Sequence, residues 1–124
     1  MKILTVDDSK IIRKIVSGVI EMAGYEPIGA ENGQVALDLL REHYEDIALV
    51  VLDWNMPIMD GLTCLQEIRA DEDLASIPVM MLTTESERER MTTAIQHGAN
   101  NYCSKPFTPE ALAVKILECL GMGG

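Results

Sequence analysis

This sequence predicts an α/β fold, a parallel sheet wound with helices on both faces, and three observations predict it. Short apolar runs alternate with helix-period patterns five times along the chain. The middle run, Ile47-Ala48-Leu49-Val50-Val51-Leu52, is apolar throughout, as a strand buried on both faces must be. At 124 residues the chain has the length of one domain, and no repeat, linker or low-complexity stretch divides it, so residues 1–124 read as one unit.

The elements follow in order. Residues 3–6 form the first apolar run, and the helix after it carries Ile12, Ile15, Val16, Val19 and Ile20 on one stripe before stopping at Gly24. A weaker strand spans 26–30, and a helix over 33–43 carries Val35, Ala36, Leu39 and Leu40. The central strand, 47–52, leads through a loop at 53–61 into a helix ending near Ala70. Residues 79–82 are the fourth strand. Ser86-Glu87-Arg88-Glu89 then reads as a capping box for a helix that runs to the Gly98 stop. A short strand at 101–104 precedes Thr108-Pro109, an N-cap with proline at the first helical position. The last helix carries Leu112, Ile116, Leu117 and Leu120.

Composition narrows the function. Hydrophobic residues make up 48% and charged residues 24% of the chain, which is globular rather than disordered. Ten basic against twenty acidic residues give a net charge of −10, a field that repels nucleic acid and anionic membranes. No apolar run approaches the roughly 18 residues that span a bilayer, and Asp7-Asp8 interrupts the N-terminus before a signal-peptide core could develop, so the cytoplasm is expected. Cys64, Cys103 and Cys119 are odd in number and widely spaced, which fits buried reduced thiols better than disulfides or zinc. His43 and His97 read as solvated helix-end residues, and most of the eight methionines as core filler, with Met56 and Met59 in the loop set apart.

Polar residues stand where the strands stop: Asp7 and Asp8 after the first, Asp53 after the third, Thr83 after the fourth, Lys105 after the fifth. Ligands of open parallel sheets bind at the carboxyl ends of the strands, where strand order reverses. In the order 2-1-3-4-5 that point lies between strands one and three and gathers Asp7, Asp8 and Asp53. Three carboxylates in one crevice repel, and a divalent cation relieves the repulsion; an all-oxygen set selects magnesium, manganese or calcium over zinc. With Lys105 as a fixed cation and Thr83 as a hydroxyl donor, the set suits a phosphoryl group in transfer, and Asp53 is the natural nucleophile. A single polar strand end is usually only solvated; four complementary ones are much harder to dismiss.

These segments resemble the receiver domains of bacterial two-component response regulators, and most closely the single-domain chemotaxis regulators. Asp53-Trp54-Asn55-Met56-Pro57-Ile58-Met59-Asp60-Gly61 is similar to the family's phosphoacceptor loop, and Val6-Asp7-Asp8-Ser9 to its acid pocket. Leu82-Thr83-Thr84-Glu85 is similar to its switch-threonine segment, and Lys105-Pro106-Phe107-Thr108 to its lysine segment. The resemblance covers the whole chain and implies a flavodoxin-like (βα)5 sheet. It implies that Asp53 accepts a phosphoryl group from a sensor histidine kinase. Mg2+, with Mn2+ as an alternative, would be held by Asp8, Asp53 and the Asn55 backbone carbonyl, with Asp7 acting mainly through water. Lys105 would pair with Asp53 and then with the phosphoryl oxygen. Thr83 would move to that oxygen, Tyr102 would follow inward, and the Lys105-Pro106 bond would be cis.

Asn55 and Glu85 match the polar pair that accompanies rapid loss of the phosphoryl group, and Trp54 the tryptophan beside the phosphoacceptor. Tyr102 and Lys115 match the face that meets the flagellar motor switch protein, although an isolated helix lysine is more often merely solvated. The alternatives are a stand-alone receiver in another phosphorelay, serving a phosphotransfer protein, or a phosphate sink; a phosphatase is a further partner. Three departures stand out: Thr84 where the chemotaxis members usually carry alanine, and Cys103 and Ser104 where apolar residues are common. Other classes fare worse. An aspartate-based phosphohydrolase would carry a carboxylate where Asn55 stands, a P-loop enzyme would need GxxxxGK[ST], and a mononucleotide binder would need hydroxyls and glycines in place of Asp7-Asp8. The chain thus reads as a switch that turns over no external substrate.

Overall fold

The computed structural model describes residues 1–84 and 88–121. Five strands, β1 (Lys2–Val6), β2 (Glu26–Ala30), β3 (Ile47–Asp53), β4 (Val79–Thr84) and β5 (Asn101–Lys105), alternate with α1 (Lys10–Met22), α2 (Gly33–His43), α3 (Gly61–Ala70), α4 (Arg88–Gln96) and α5 (Pro109–Gly121). They form one parallel sheet in the order β2-β1-β3-β4-β5, the order on which the site prediction rested. A short 3-10 turn at Tyr44–Asp46, which no hydropathy pattern marks, joins α2 to β3.

Side-chain alternation along the strands divides the core in two. Leu4, Val6, Val50, Leu52, Val79 and Met81 face α2 and α3, meeting Ala36, Leu37, Leu40, Cys64, Leu65 and Ile68. Ile3, Leu49, Val51, Met80 and Leu82 point the other way, onto Val16, Val19 and Ile20 of α1 and Leu112, Ile116 and Cys119 of α5. The weak strand predicted at 26–30 is an edge strand, where Pro27 removes no central ladder bond.

Helix ends are set by the residues expected at such ends. Ser9, Asn32 and Asp60 accept from the backbone N–H of Ile12, Val35 and Thr63 at 3.2, 3.0 and 2.8 Å, and Thr108 Oγ1 from Ala111 at 3.1 Å. Gly24 and Gly98 take the positive φ that closes α1 and α4. The Ser86–Glu89 capping box begins outside the described residues.

Some stripe residues turned out otherwise. Ile15 and Leu117 are exposed, while Leu37 and Cys119 take core positions. α1 and α5 pack side by side on one face of the sheet, so each helix buries a narrower arc than its apolar spacing suggests. Met80 and Met81 fill the core, but Met1 and Met22 are exposed, Met22 because it ends α1. All three cysteines are buried free thiols, and burial first of all pushes that of Cys64 up to about 12. His43 closes α2 and His97 follows α4.

Candidate functional site

The carboxyl ends of β1, β3, β4 and β5 meet around a depression of about 320 Å³, lined by Asp7, Asp8, Asp53, Asn55, Thr83 and Lys105 among others. Asp7 and Asp53 are nearly sealed from solvent, at 1% and 6% exposure, whereas Asp8 is exposed. One oxygen from each carboxylate can be chosen so that all three lie within 4.8 Å of one another. Three carboxylate oxygens this close could hold a hard divalent cation, with room left for further ligands.

Lys105 closes the set. Its Nζ donates to Asp53 Oδ1 at 2.9 Å and to Asp7 Oδ2 at 3.1 Å, so one ammonium ties β5 to β3 and β1. Burial alone would lower the Lys105 pKa. The hydrogen bond and charge of Asp53, then those of Asp7, overcome this and hold it above its ordinary value. Asp53 is raised as well, chiefly by burial and further by the Asp7 charge, against the opposing pull of Lys105. Such a carboxylate gains from any added cation.

The backbone around these groups is held firmly. Asp7 Oδ1 accepts from the Ser9 N–H at 2.9 Å, and the Asp7 carbonyl accepts from Arg13 Nη1 at 2.6 Å. On the other strand, Gly61 N–H donates to the Trp54 carbonyl at 2.8 Å. A Cβ on Gly61 would overlap the Asp53 carbonyl oxygen and lie 2.9 Å from Trp54 Cα, so only glycine lets α3 start there. In the same loop Ile58, exposed and β-branched, sits at φ +69°, a strained conformation.

Asp7, Asp8, Asp53, Thr83 and Lys105, expected together from the sequence, are together. Asn55 is exposed on the rim, its Oδ1 accepting from Arg90 Nη1 at 2.8 Å. The Arg90 guanidinium also lies 5.2 Å above the Trp54 ring. Tyr102 and Lys115 stand apart on β5 and α5, Lys115 Nζ 5.6 Å from the ring of a partly exposed Tyr102. Lys105-Pro106 is cis, as the resemblance implied. Glu85 lies outside the described residues. Sequence reasoning missed Arg13, Arg90 and the Lys105–Asp7 pair. No spacing signals them, because a surface arginine on a helix reads as solvated until the fold shows what it reaches.

Comparison with known proteins bears on the same residues. The family model described as response regulator receiver domain matches residues 3–117. A chemotaxis protein CheY homolog of Campylobacter jejuni is 40% identical over 124 residues, covering 99% of this chain and 95% of that protein. The chemotaxis protein CheY-3 of Vibrio cholerae is 44% identical over 117 residues, covering 94% and 88%. Among solved structures, the chemotaxis response regulator CheY4 of Vibrio cholerae superposes with a TM-score of 0.88 at 34% identity, covering 96% of this chain and 98% of that one. No helix among the described residues is long and apolar enough to cross a membrane. With a flavodoxin-like sheet and an acidic site at its carboxyl edge, the chain belongs to the response regulator receiver domain family of two-component signalling proteins.

Proposed function

We propose that the protein is a phosphorylation-driven chemotaxis switch of the cytoplasm, which takes a phosphoryl group onto Asp53 from a sensor histidine kinase. The observation that carries this reading is the Lys105 ammonium held at 2.9 and 3.1 Å by Asp53 and Asp7 beside exposed Asp8. This is a nucleophile, a fixed cation and a cation-binding edge in one depression. In the transfer an Asp53 oxygen bonds to phosphorus, the donor's N–P bond breaks, and the imidazole leaves with the bonding pair. Lys105 follows the developing charge from the carboxylate to the phosphoryl oxygens. Mg2+, or Mn2+ in its place, would be held by Asp8, Asp53 and the Asn55 carbonyl, with Asp7 through water, and supplies further neutralisation of the phosphoryl charge.

The buried Thr83 hydroxyl, on the strand between those of Asp53 and Lys105, would then bond a phosphoryl oxygen. Its movement makes room for Tyr102 to turn in from its partly exposed position against Lys115, with half-buried Thr84 limiting the space. The face of β5 and α5 carrying Tyr102 and Lys115 would then meet the flagellar motor switch protein. Asn55 and Glu85 set how long the phosphoryl group lasts. No external substrate is turned over. The supporting relatives are named for chemotaxis, which favours this output over a phosphate sink.

Trp54 fluorescence tests the reading. Titration with magnesium and then acetyl phosphate should give two successive changes in the wild type, the second decaying when donor is removed and missing in Asp53→Asn. A second change that persists in Asp53→Asn would overturn the assignment of the nucleophile, and silence to both additions would overturn the site.

A further inference from the structure

We propose that Arg90 is a positioning residue that sets the rate at which the phosphorylated Asp53 is hydrolysed, acting through Asn55. This deepens the reading above and rests on it. Arg90 lies in the first turn of α4, 35 residues from its acceptor, yet its guanidinium makes two contacts with the two residues that follow Asp53. It donates to Asn55 Oδ1 at 2.8 Å and stacks 5.2 Å from the centroid of the Trp54 ring. A planar fork can stack on an aromatic face and donate in its own plane at once, which an ammonium cannot do.

The chemical consequence falls on the Asn55 amide. Asn55 and Trp54 both line the depression, and Asn55 is its exposed rim, where water enters. With Oδ1 engaged by Arg90, the amide is fixed as a donor: its NH2 group is the half left to meet an incoming oxygen. A water held by that donor through one lone pair keeps the other for phosphorus. In the hydrolysis the water oxygen bonds to phosphorus and the P–O bond to Asp53 breaks. The carboxylate regains the bonding pair, and the water proton leaves with solvent as inorganic phosphate departs. Arg90 touches none of the reacting atoms. It holds the amide that does, so whatever shifts α4 also shifts the lifetime of the signal.

The test is a double-mutant cycle on the full chain, phosphorylated with acetyl phosphate and followed by intact mass after donor removal. Arg90→Ala and Asn55→Ala should each slow the decay, by about three- to tenfold, and the double variant should be no slower than the slower single one. Arg90→Lys should behave like Arg90→Ala. Without metal or donor, the Trp54 emission of Arg90→Ala should shift from that of the wild type while its far-ultraviolet circular dichroism does not. Wild-type decay in Arg90→Ala, or single effects that multiply in the double variant, would overturn the proposal. A wild-type chain that takes up no phosphoryl group would instead overturn the receiver reading, and the hydrolytic role with it. Unchanged metal-free emission in Arg90→Ala would separately refute the contact that carries the proposal.

Discussion

The surroundings of Asp53 disfavour its ionised form. Burial, and then the Asp7 charge, hold its carboxyl above the ordinary aspartate range, so the folded chain binds that proton more tightly than the unfolded one. Stability from this group is complete below the ordinary value of about 4 and falls as pH rises through the folded value. Lys105 runs the other way. Its raised pKa keeps its contribution complete below about pH 10, lost only above that. Asp53→Asn keeps the shape, leaves Lys105 its bond to Asp7, and removes the charge that burial penalises. Its metal-free melting temperature should exceed that of the wild type at pH 7, the gap closing as pH is lowered towards 4. A lower melting temperature at pH 7 would mean that the Lys105 pairing outweighs burial. The identities of these residues were legible because each ends a strand. The Lys105–Asp7 bond was not, because a sequence shows that a lysine is near but not how many carboxylates it bridges.

Between elements, one arginine does for the far side of the sheet what Lys105 does for the site. Arg69, near the end of α3, donates from Nε and Nη2 to the Gly98 carbonyl at 3.0 and 2.8 Å. From Nη1 it reaches the Ile77 and Ala75 carbonyls at 2.7 and 3.1 Å, and from Nη2 also Asn100 Oδ1 at 3.0 Å. It thereby joins α3 to the loops that enter β4 and β5, and Asn100 passes the connection on by accepting from Val79 N–H at 2.9 Å. A lysine has three donors and no fork, so Arg69→Lys should lose about 2 kcal/mol in urea denaturation. A loss under about 0.5 kcal/mol, the range of ordinary surface changes, would show the cluster to be incidental. Elements built on apolar runs and end signals, such as β3 and the helix stop at Gly24, were readable in the sequence. The 3-10 turn at Tyr44–Asp46 and the exposure of Ile15 and Leu117 were not, because both depend on how neighbouring elements pack.

For the molecule as a whole, the net charge of −10 surrounds a site proposed above to receive an anion. Acetyl phosphate is itself negative, so the field opposes its approach at low ionic strength and salt relieves the opposition. At saturating magnesium, the rate of phosphorylation by acetyl phosphate should rise about two- to fivefold between roughly 10 and 150 mM ionic strength. A rate that falls with salt would mean that the local field at the strand ends is positive despite the overall charge. Composition showed this balance and hydropathy showed the fold class. Which faces meet other proteins depends on the helices' relative positions, which the sequence does not encode at one residue's resolution.

The glycine that opens α3 has a mechanical consequence. Its backbone lies against the carbonyl of Asp53, and its N–H donates to the carbonyl of Trp54, so one residue holds the main chain of both. The carboxylate is left with only its own side-chain torsions, and one of its oxygens is already taken by Lys105. Accuracy of aim would therefore be built into the frame: in the proposed transfer, the reacting oxygen would swing on a short arm from a held pivot towards the incoming phosphorus atom.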